Sequence, residues 1–360
     1  DNNPYGHTSW VLDKAIYPED HPYNWQVIGE LVDLQSATVE DVKEFYDMYY
    51  GPNNATLVLA GDFEKEDAKA LVEKYFGEIK KRQEVAPLEP QRVTLAETKR
   101  LYHAYALDFL AQLVSDGKKA PMYKVLVKEK ELTSRVSAYN NSQELAGEFH
   151  VVVTANSGKN LAEVETAIKE SFQRFEEEGV SEKDVERIKA SLETGFYNSI
   201  SSVLGKSFQL ARYNVFTGDP SFITQDIENI KKVTKDDIMR VYNTYLKDKP
   251  YVITSFVPKG SLDLIAENST KANIVEEEIK ENVAVEIEEK NDEVVKTPSN
   301  FDRSKAPDIG ESPKLNIPES WAITLENDMK VLGIEQTELP IVNFSIVLDG
   351  GHLLDGRNCH

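Results

Sequence analysis

The sequence predicts an α+β fold made of duplicated α/β sandwich domains. Three observations carry that expectation: an internal repeat at a spacing of 196 residues, helical and strand periodicities that alternate around it, and a 40% hydrophobic content over 360 residues. That length suits about two domains with cores of their own.

The repeat is read from two helical frames. Thr38, Asp41, Val42, Tyr46, Tyr49 and Tyr50 stand in the first, and Thr234, Asp237, Ile238, Tyr242, Tyr245 and Leu246 in the second, each 196 positions after its counterpart. Both frames open on a threonine with an acid three residues on, a capping-box variant in which aspartate replaces glutamate. Val42, Phe45, Tyr46 and Tyr49 fall on one helical face, as do Ile238, Val241, Tyr242 and Tyr245, and both faces are expected to bury against a sheet. A break and a strand follow each helix, at 56–60 after Gly51 to Asn54 and at 251–257 after Lys247 to Pro250. Amphipathic spacing alone is common. Matched Thr, Asp and Tyr positions followed by matched strands favour a shared ancestral unit over coincidence.

The remaining elements alternate around these two. Residues 64–76 predict a helix with Ala68, Leu71, Val72, Tyr75 and Phe76 on one side, stopped at Gly77 in the C′ place. Residues 148–155 predict a strand, and 161–178 a helix that Asn160 caps and Gly179 ends, with another helix from Glu182 to about Ile200. The expected domains are 1–92 and 93–259. From Ser261 to Pro318 the pattern changes to an acidic run, Glu276 to Glu289, and then a stretch punctuated by Pro298, Pro307, Pro313 and Pro318. That composition reads as a solvated linker over 260–318 rather than an acidic binding tail. Beyond it, 321–325 and 330–336 predict strands around an Asn327-Asp328 turn. A third strand is expected at 341–348, so a new domain opens over 319–360.

Composition excludes some functions. With 62 acidic and 41 basic residues the formal charge is -21, which repels nucleic acid and tolerates basic peptides. One cysteine, Cys359, excludes an intramolecular disulfide. No apolar run approaches the length of a membrane span. The chain begins at Asp1 with no leader, and the sequence reading takes the true N-terminus to lie upstream.

Asn3-Pro4-Tyr5-Gly6, His21-Pro22-Tyr23 with Trp25 and Ile28-Gly29, then Tyr50 to Val58 and Gly61-Asp62-Phe63 carry a resemblance that their order makes specific. They resemble the pitrilysin/insulinase zinc metallopeptidases, downstream of the active site. Ser115 to Lys118 and Tyr123-Lys124 through Ala138-Tyr139 resemble the start of that family's second repeat domain. Leu325-Glu326-Asn327 through Gly350-Gly351-His352-Leu353-Leu354-Asp355 resembles the first strands of its second half. The chain is accordingly identified as an interior piece of a two-halved bacterial member.

The resemblance implies a clam-like endopeptidase whose halves enclose a chamber for peptide substrates. Zinc is held there by His-x-x-Glu-His and a distant Glu, the motif's own Glu taking a proton from the metal-bound water. None of His7, His21, His103, His150, His352 and His360 is followed by the required Glu-His. No catalytic or metal residue is therefore assigned to this chain, and no substrate-binding residue is named. Zn2+ belongs to the intact parent, which peptide substrates and the missing second half would partner. The expected role of the chain is chamber wall and hinge, inactive alone; a non-catalytic scaffold or partner subunit of the same fold is the alternative. A bacterial envelope or periplasmic location is implied by resemblance only.

Two departures matter. Between Tyr102 and Ala104 the family would have a strand and loop leading into a helix near Tyr105; a loop closed over and a true shortening both remain open. The Arg and Tyr that the family places seven residues apart to steady the substrate carbonyl are Val127 and Ser134 here, so that role does not carry over. Other chemistries are thin. Gly205-Lys206-Ser207 has the tail of a phosphate loop, but Ile200 stands where its first glycine is needed. Cys359 beside His360 has no third group to orient it, and His352 reads as a structural histidine at a strand end.

Overall fold

A computed structural model describes residues 8–29, 31–86, 104–272, 299–306, 310 and 317–348. Three short helices open it: α1 (Thr8–Ile16), α2 (Leu31–Ser36) and α3 (Val39–Tyr49), followed by α4 (Lys65–Phe76). Both expected capping-box residues act at α3, where Thr38 Oγ1 accepts the Asp41 N–H at 3.2 Å and Asp41 Oδ2 accepts the Thr38 N–H at 2.8 Å. Helix α4 ends at Gly77, but Gly77 stays right-handed at φ -63°, so it stops the helix without the left-handed turn that motivates a C′ glycine.

The main core begins at α5 (Ala104–Ser115), which runs into a π-helical turn at Tyr123–Glu129 and the antiparallel pair β1 (Thr133–Ser142) and β2 (Gly147–Ala155). Four long helices follow: α6 (Leu161–Glu178), α7 (Glu182–Ser199), α8 (Val203–Thr217) and α9 (Ile223–Lys232). Helix α6 keeps its expected ends: Asn160 Oδ1 accepts the Ala162 N–H at 2.7 Å, and Gly179 at φ 66° breaks the chain away. Helix α10 (Lys235–Tyr245) repeats the α3 capping box through Thr234 and Asp237. Phe109, Leu110, Met122, Leu126, Val164, Phe175, Val185, Ile188, Ile238 and Val241 are buried together in one apolar cluster.

A smaller cluster of Phe196, Ile200 and Tyr213 lies between α7, α8 and α9, with Leu339 packed on it. The last unit is the hairpin β3 (Ser320–Thr324) and β4 (Lys330–Ile334), turned through Asp328 at φ 64°. Trp321 pairs with Gly333, where a Cβ would come within 2.2 Å of the indole; only glycine fits.

Several expectations are corrected. Residues 56–60, 251–257 and 341–348 join no ladder among the described residues. A strand exists only where a neighbour completes its hydrogen bonds, and the described residues supply none. Their apolar positions stand open: Leu57, Leu59, Tyr251, Ile253, Val342 and Phe344 are all exposed. The two matched helix faces diverge as well. Helix α10 buries its face against helices α5 and α6, with Tyr242 stacked on Phe172 and edge-on to Phe175, rather than against a sheet. Helix α3 leaves its own face in solvent. The 103–104 junction, the acidic run, His352 and the Cys359-His360 pair lie outside the described residues.

Candidate functional site

The positions that the family motif marks come first. Val127 sits on the π-helical turn, partly buried against the main core, and Ser134 is exposed on β1; neither side chain can present a cation or a phenol to a carbonyl. Gly205-Lys206-Ser207 is the first turn of α8, capped by Ser202, so no phosphate cradle forms. Gly205 has a packing reason instead, since a Cβ there would lie 1.9 Å from the Ser199 carbonyl oxygen.

Two polar nodes were not legible in the sequence. In the first, Tyr17 donates its hydroxyl to Glu148, whose other oxygen lies 2.6 Å from His150 Nε2. The His150 contact, and after it the Tyr17 hydroxyl, hold the Glu148 carboxyl below its usual range, while burial pushes the Tyr17 phenol up. Burial, with the Glu148 charge adding to it, raises Asp13. His21 packs on Tyr17, accepts the Tyr23 N–H at Nδ1 at 3.0 Å, and buries an Nε2 that has no hydrogen-bond partner among the described residues. The Leu145 N–H donates to Tyr23 Oη at 3.1 Å. These contacts fasten residues 17–24 to the end of the β1–β2 hairpin.

In the second node Asp226 on α9 accepts the hydroxyls of Tyr105 on α5 and, at 2.7 Å, of Tyr213 on α8. Asp108 stands nearby and accepts from Asn140 Nδ2 at 3.2 Å. Burial pushes the Asp108 carboxyl up to about 6, Asn140 opposing and the Asp226 charge assisting. Both nodes join elements more than 100 residues apart, so no local pattern announces them.

Among the described residues no group of three or more His, Cys, Asp or Glu side chains could hold a metal ion, and no helix is long and apolar enough to cross a membrane. Neither node is therefore a zinc site.

The most extensive unexplained feature is apolar. Val42 is 64% exposed, Phe45 57% and Tyr46 51%, whereas Ile238, Val241 and Tyr242 at the same repeat positions are 0%, 0% and 3% exposed. Fully burying a wholly exposed side chain of this kind is worth roughly 1.5–3 kcal/mol, and these keep half to two-thirds of their surface open, the Arg82 guanidinium lying 4.6 Å from the Tyr46 centroid. Leu71 and Phe76 of α4 and Leu57 and Leu59 extend the open surface.

Comparison with known proteins gives this surface a context. The family described as Peptidase M16 inactive domain matches residues 36–101 and 93–192. A curated relative, "Zinc protease PqqE" of Helicobacter pylori (strain ATCC 700392 / 26695), is 24% identical over 273 residues, covering 69% of this chain and 61% of that protein. "Probable inactive metalloprotease YmfF" of Bacillus subtilis (strain 168) is 23% identical over 257 residues, 65% of this chain and 59% of the relative. Among solved structures, a protease from Helicobacter pylori superposes with a TM-score of 0.57 at 22% identity, over 69% of this chain and 66% of that one. The structural likeness establishes the α+β fold; the chain spans about three-fifths of the length of these curated relatives.

Proposed function

We propose, from the match of residues 36–101 and 93–192 to the Peptidase M16 inactive domain and the likeness to a zinc protease, that this chain is part of a zinc-dependent endopeptidase of the pitrilysin/insulinase (M16) type, supplying chamber wall and hinge while no metal site is assigned to it. The domains of the reading are 1–92 as the C-terminal part of a first repeat, 93–259 as the second repeat, 260–318 as the linker between halves, and 319–360 as the opening strands of the second half.

The observation that carries the proposal is the contrast between twin helices. Helix α10 is covered by α5 and α6, which belong to its own repeat. Helix α3 has the same cap, length and apolar spacing, but among the described residues its face stays exposed apart from Arg82 over the Tyr46 ring. A helix–hairpin–helix lobe like 104–178 is the cover that fits, and in a catalytic member of this family such a lobe is where a zinc helix would stand. Peptide substrates and the second half of the polypeptide are the partners of the reading, and the bacterial envelope is its compartment. The chemistry would be the metal's: zinc lowers the pKa of a bound water, and this chain's residues shape and close the space around it.

The test compares the complete polypeptide with this chain alone. The complete protein is expected to hold stoichiometric zinc and to cut a mixed peptide substrate, and this chain to do neither. A second reading, a non-catalytic partner subunit, is favoured by the family's description as an inactive domain and by the Bacillus relative named as an inactive metalloprotease. A complete polypeptide without zinc and without hydrolysis decides for that second reading.

A further inference from the structure

We infer that residues 299–303 are an anchoring strap, seated on the C-terminal end of α4, which divides the linker into two tethers. Five hydrogen bonds and two ring contacts converge there. Glu78 accepts from Ser299 Oγ at 2.6 Å, from the Asn300 N–H at 3.0 Å and from Arg303 Nη2 at 2.7 Å. The same Arg303 nitrogen donates to the Tyr75 carbonyl at 2.9 Å, which lies among the last carbonyls of α4, and Arg303 Nε donates to Ser299 Oγ at 3.1 Å. Those carbonyls have no partner inside the helix, and a guanidinium beside them also suits the helix dipole.

Phe301 meets the Tyr75 ring edge-on at 4.9 Å, and the Arg303 guanidinium lies 4.4 Å from the Phe301 centroid. Asp302 turns the chain back through Ser304, whose N–H it accepts at 3.0 Å. A shallow cleft of about 450 Å³ remains beside the segment, lined by Glu73, Lys74, Gly77 and Glu78 on one side and by Asn300 and Phe301 on the other. The Glu78 carboxyl is held down at about 2, first by Ser299, then by Asn300 and Arg303, so Glu78 stays ionised through the ordinary pH range.

An isolated surface ion pair is worth little, but here one carboxylate gathers three donors and keeps only 16% of its side chain exposed. The geometric consequence concerns reach. Among the described residues before the strap, Ala266 is buried and Ser269 Oγ donates to its carbonyl, and the β3–β4 hairpin begins at Ser320. Without the strap that span could extend to roughly 170 Å at about 3.4 Å per residue; counted from Arg303 it cannot exceed about 60 Å. The strap thus sets the tether that leads into β3 from the α4 side, while on the far side of the hairpin Leu339 packs on the α7–α9 cluster and Glu338 pairs with Lys206. The bearing on hinge opening rests on the two-half reading proposed above; the strap itself does not.

Hydrogen exchange of the full chain, resolved by mass spectrometry, tests it without zinc or substrate. Amides of 299–304 are expected to be protected about ten- to a hundredfold in the wild type, and Glu78→Gln combined with Phe301→Ala is expected to abolish that protection while α5 and α6 keep theirs. Trypsin cleavage after Arg303 should accelerate by a similar factor in the same variant. Unprotected amides in the wild type, or protection and cleavage unchanged in the variant, overturn the strap.

Discussion

The twin helices make a differential prediction that tests the duplication by energetics. Ile238→Ala and Val42→Ala truncate the same repeat position, once where exposure is 0% and once where it is 64%. At Ile238 three carbons leave a closed core between α10 and α5. About 0.8 kcal/mol each gives roughly 2.5 kcal/mol, to which the residual cavity adds and from which the better helix propensity of alanine subtracts a few tenths. The expected loss is about 2–4 kcal/mol. At Val42 two carbons leave a site already two-thirds open, so the transfer loss is about 0.5 kcal/mol and the propensity gain nearly cancels it. Urea denaturation followed by circular dichroism reads the totals, and hydrogen exchange of the α3 and α10 peptides localises them. If a further lobe covers α3 as proposed above, Val42→Ala should there cost about 1–2 kcal/mol. Equal losses at both positions in this chain would refute the argument that one face is built and the other awaits its cover.

Further outcomes are expected elsewhere. Asp108→Asn should stabilise the chain by up to about 3 kcal/mol at pH 7, since burial lifts that carboxyl from its ordinary value near 4 to about 6. The wild type holds the extra proton when folded, so its stability falls as pH rises from about 4 to about 6, and the advantage of Asn should grow through that window and vanish below it in pH-dependent melts. Gly205→Ala should destabilise by roughly 1–3 kcal/mol in urea denaturation, against the usual gain of alanine over glycine in a helix, because its Cβ would meet the Ser199 carbonyl at 1.9 Å. Thr234→Ala should cost about 1 kcal/mol through the lost α10 cap, read by the same denaturation. Zinc analysis of the dialysed chain should find far less than one equivalent.

What the sequence disclosed was local. The paired capping boxes at Thr38 and Thr234, the Asn160 and Gly179 ends of α6 and the Asp328 hairpin turn each depend on a few adjacent residues, and each stands where spacing put it. What it withheld depends on distant partners. A run such as 56–60 has strand chemistry, but a ladder needs a neighbour that the run does not encode. The Asp226 and Glu148 nodes are single polar residues, each joined to a tyrosine more than 100 positions away, Tyr105 and Tyr17. Val127 and Ser134, which the resemblance sets at the family's Arg and Tyr positions, are a partly buried apolar residue on the π-helical turn and an exposed hydroxyl on β1.

The two nodes and the strap share one arrangement, and it bears on how the units could move. Each ties a carboxylate to donors from another part of the chain: Glu148 to Tyr17, Asp226 to Tyr105 and Tyr213, Glu78 to Ser299 and Arg303. In an acidic molecule of net charge -21 an unpaired carboxylate adds repulsion between units, whereas one that gathers phenols and amides becomes an attachment with a fixed geometry. Apolar faces such as that of α3 hold units together wherever they can slide into contact, but they fix orientation weakly. Directed hydrogen bonds supply orientation: Glu148 and Glu78 fix it between separate parts of the chain, and Asp226 fixes α5, α8 and α9 against one another within one of them.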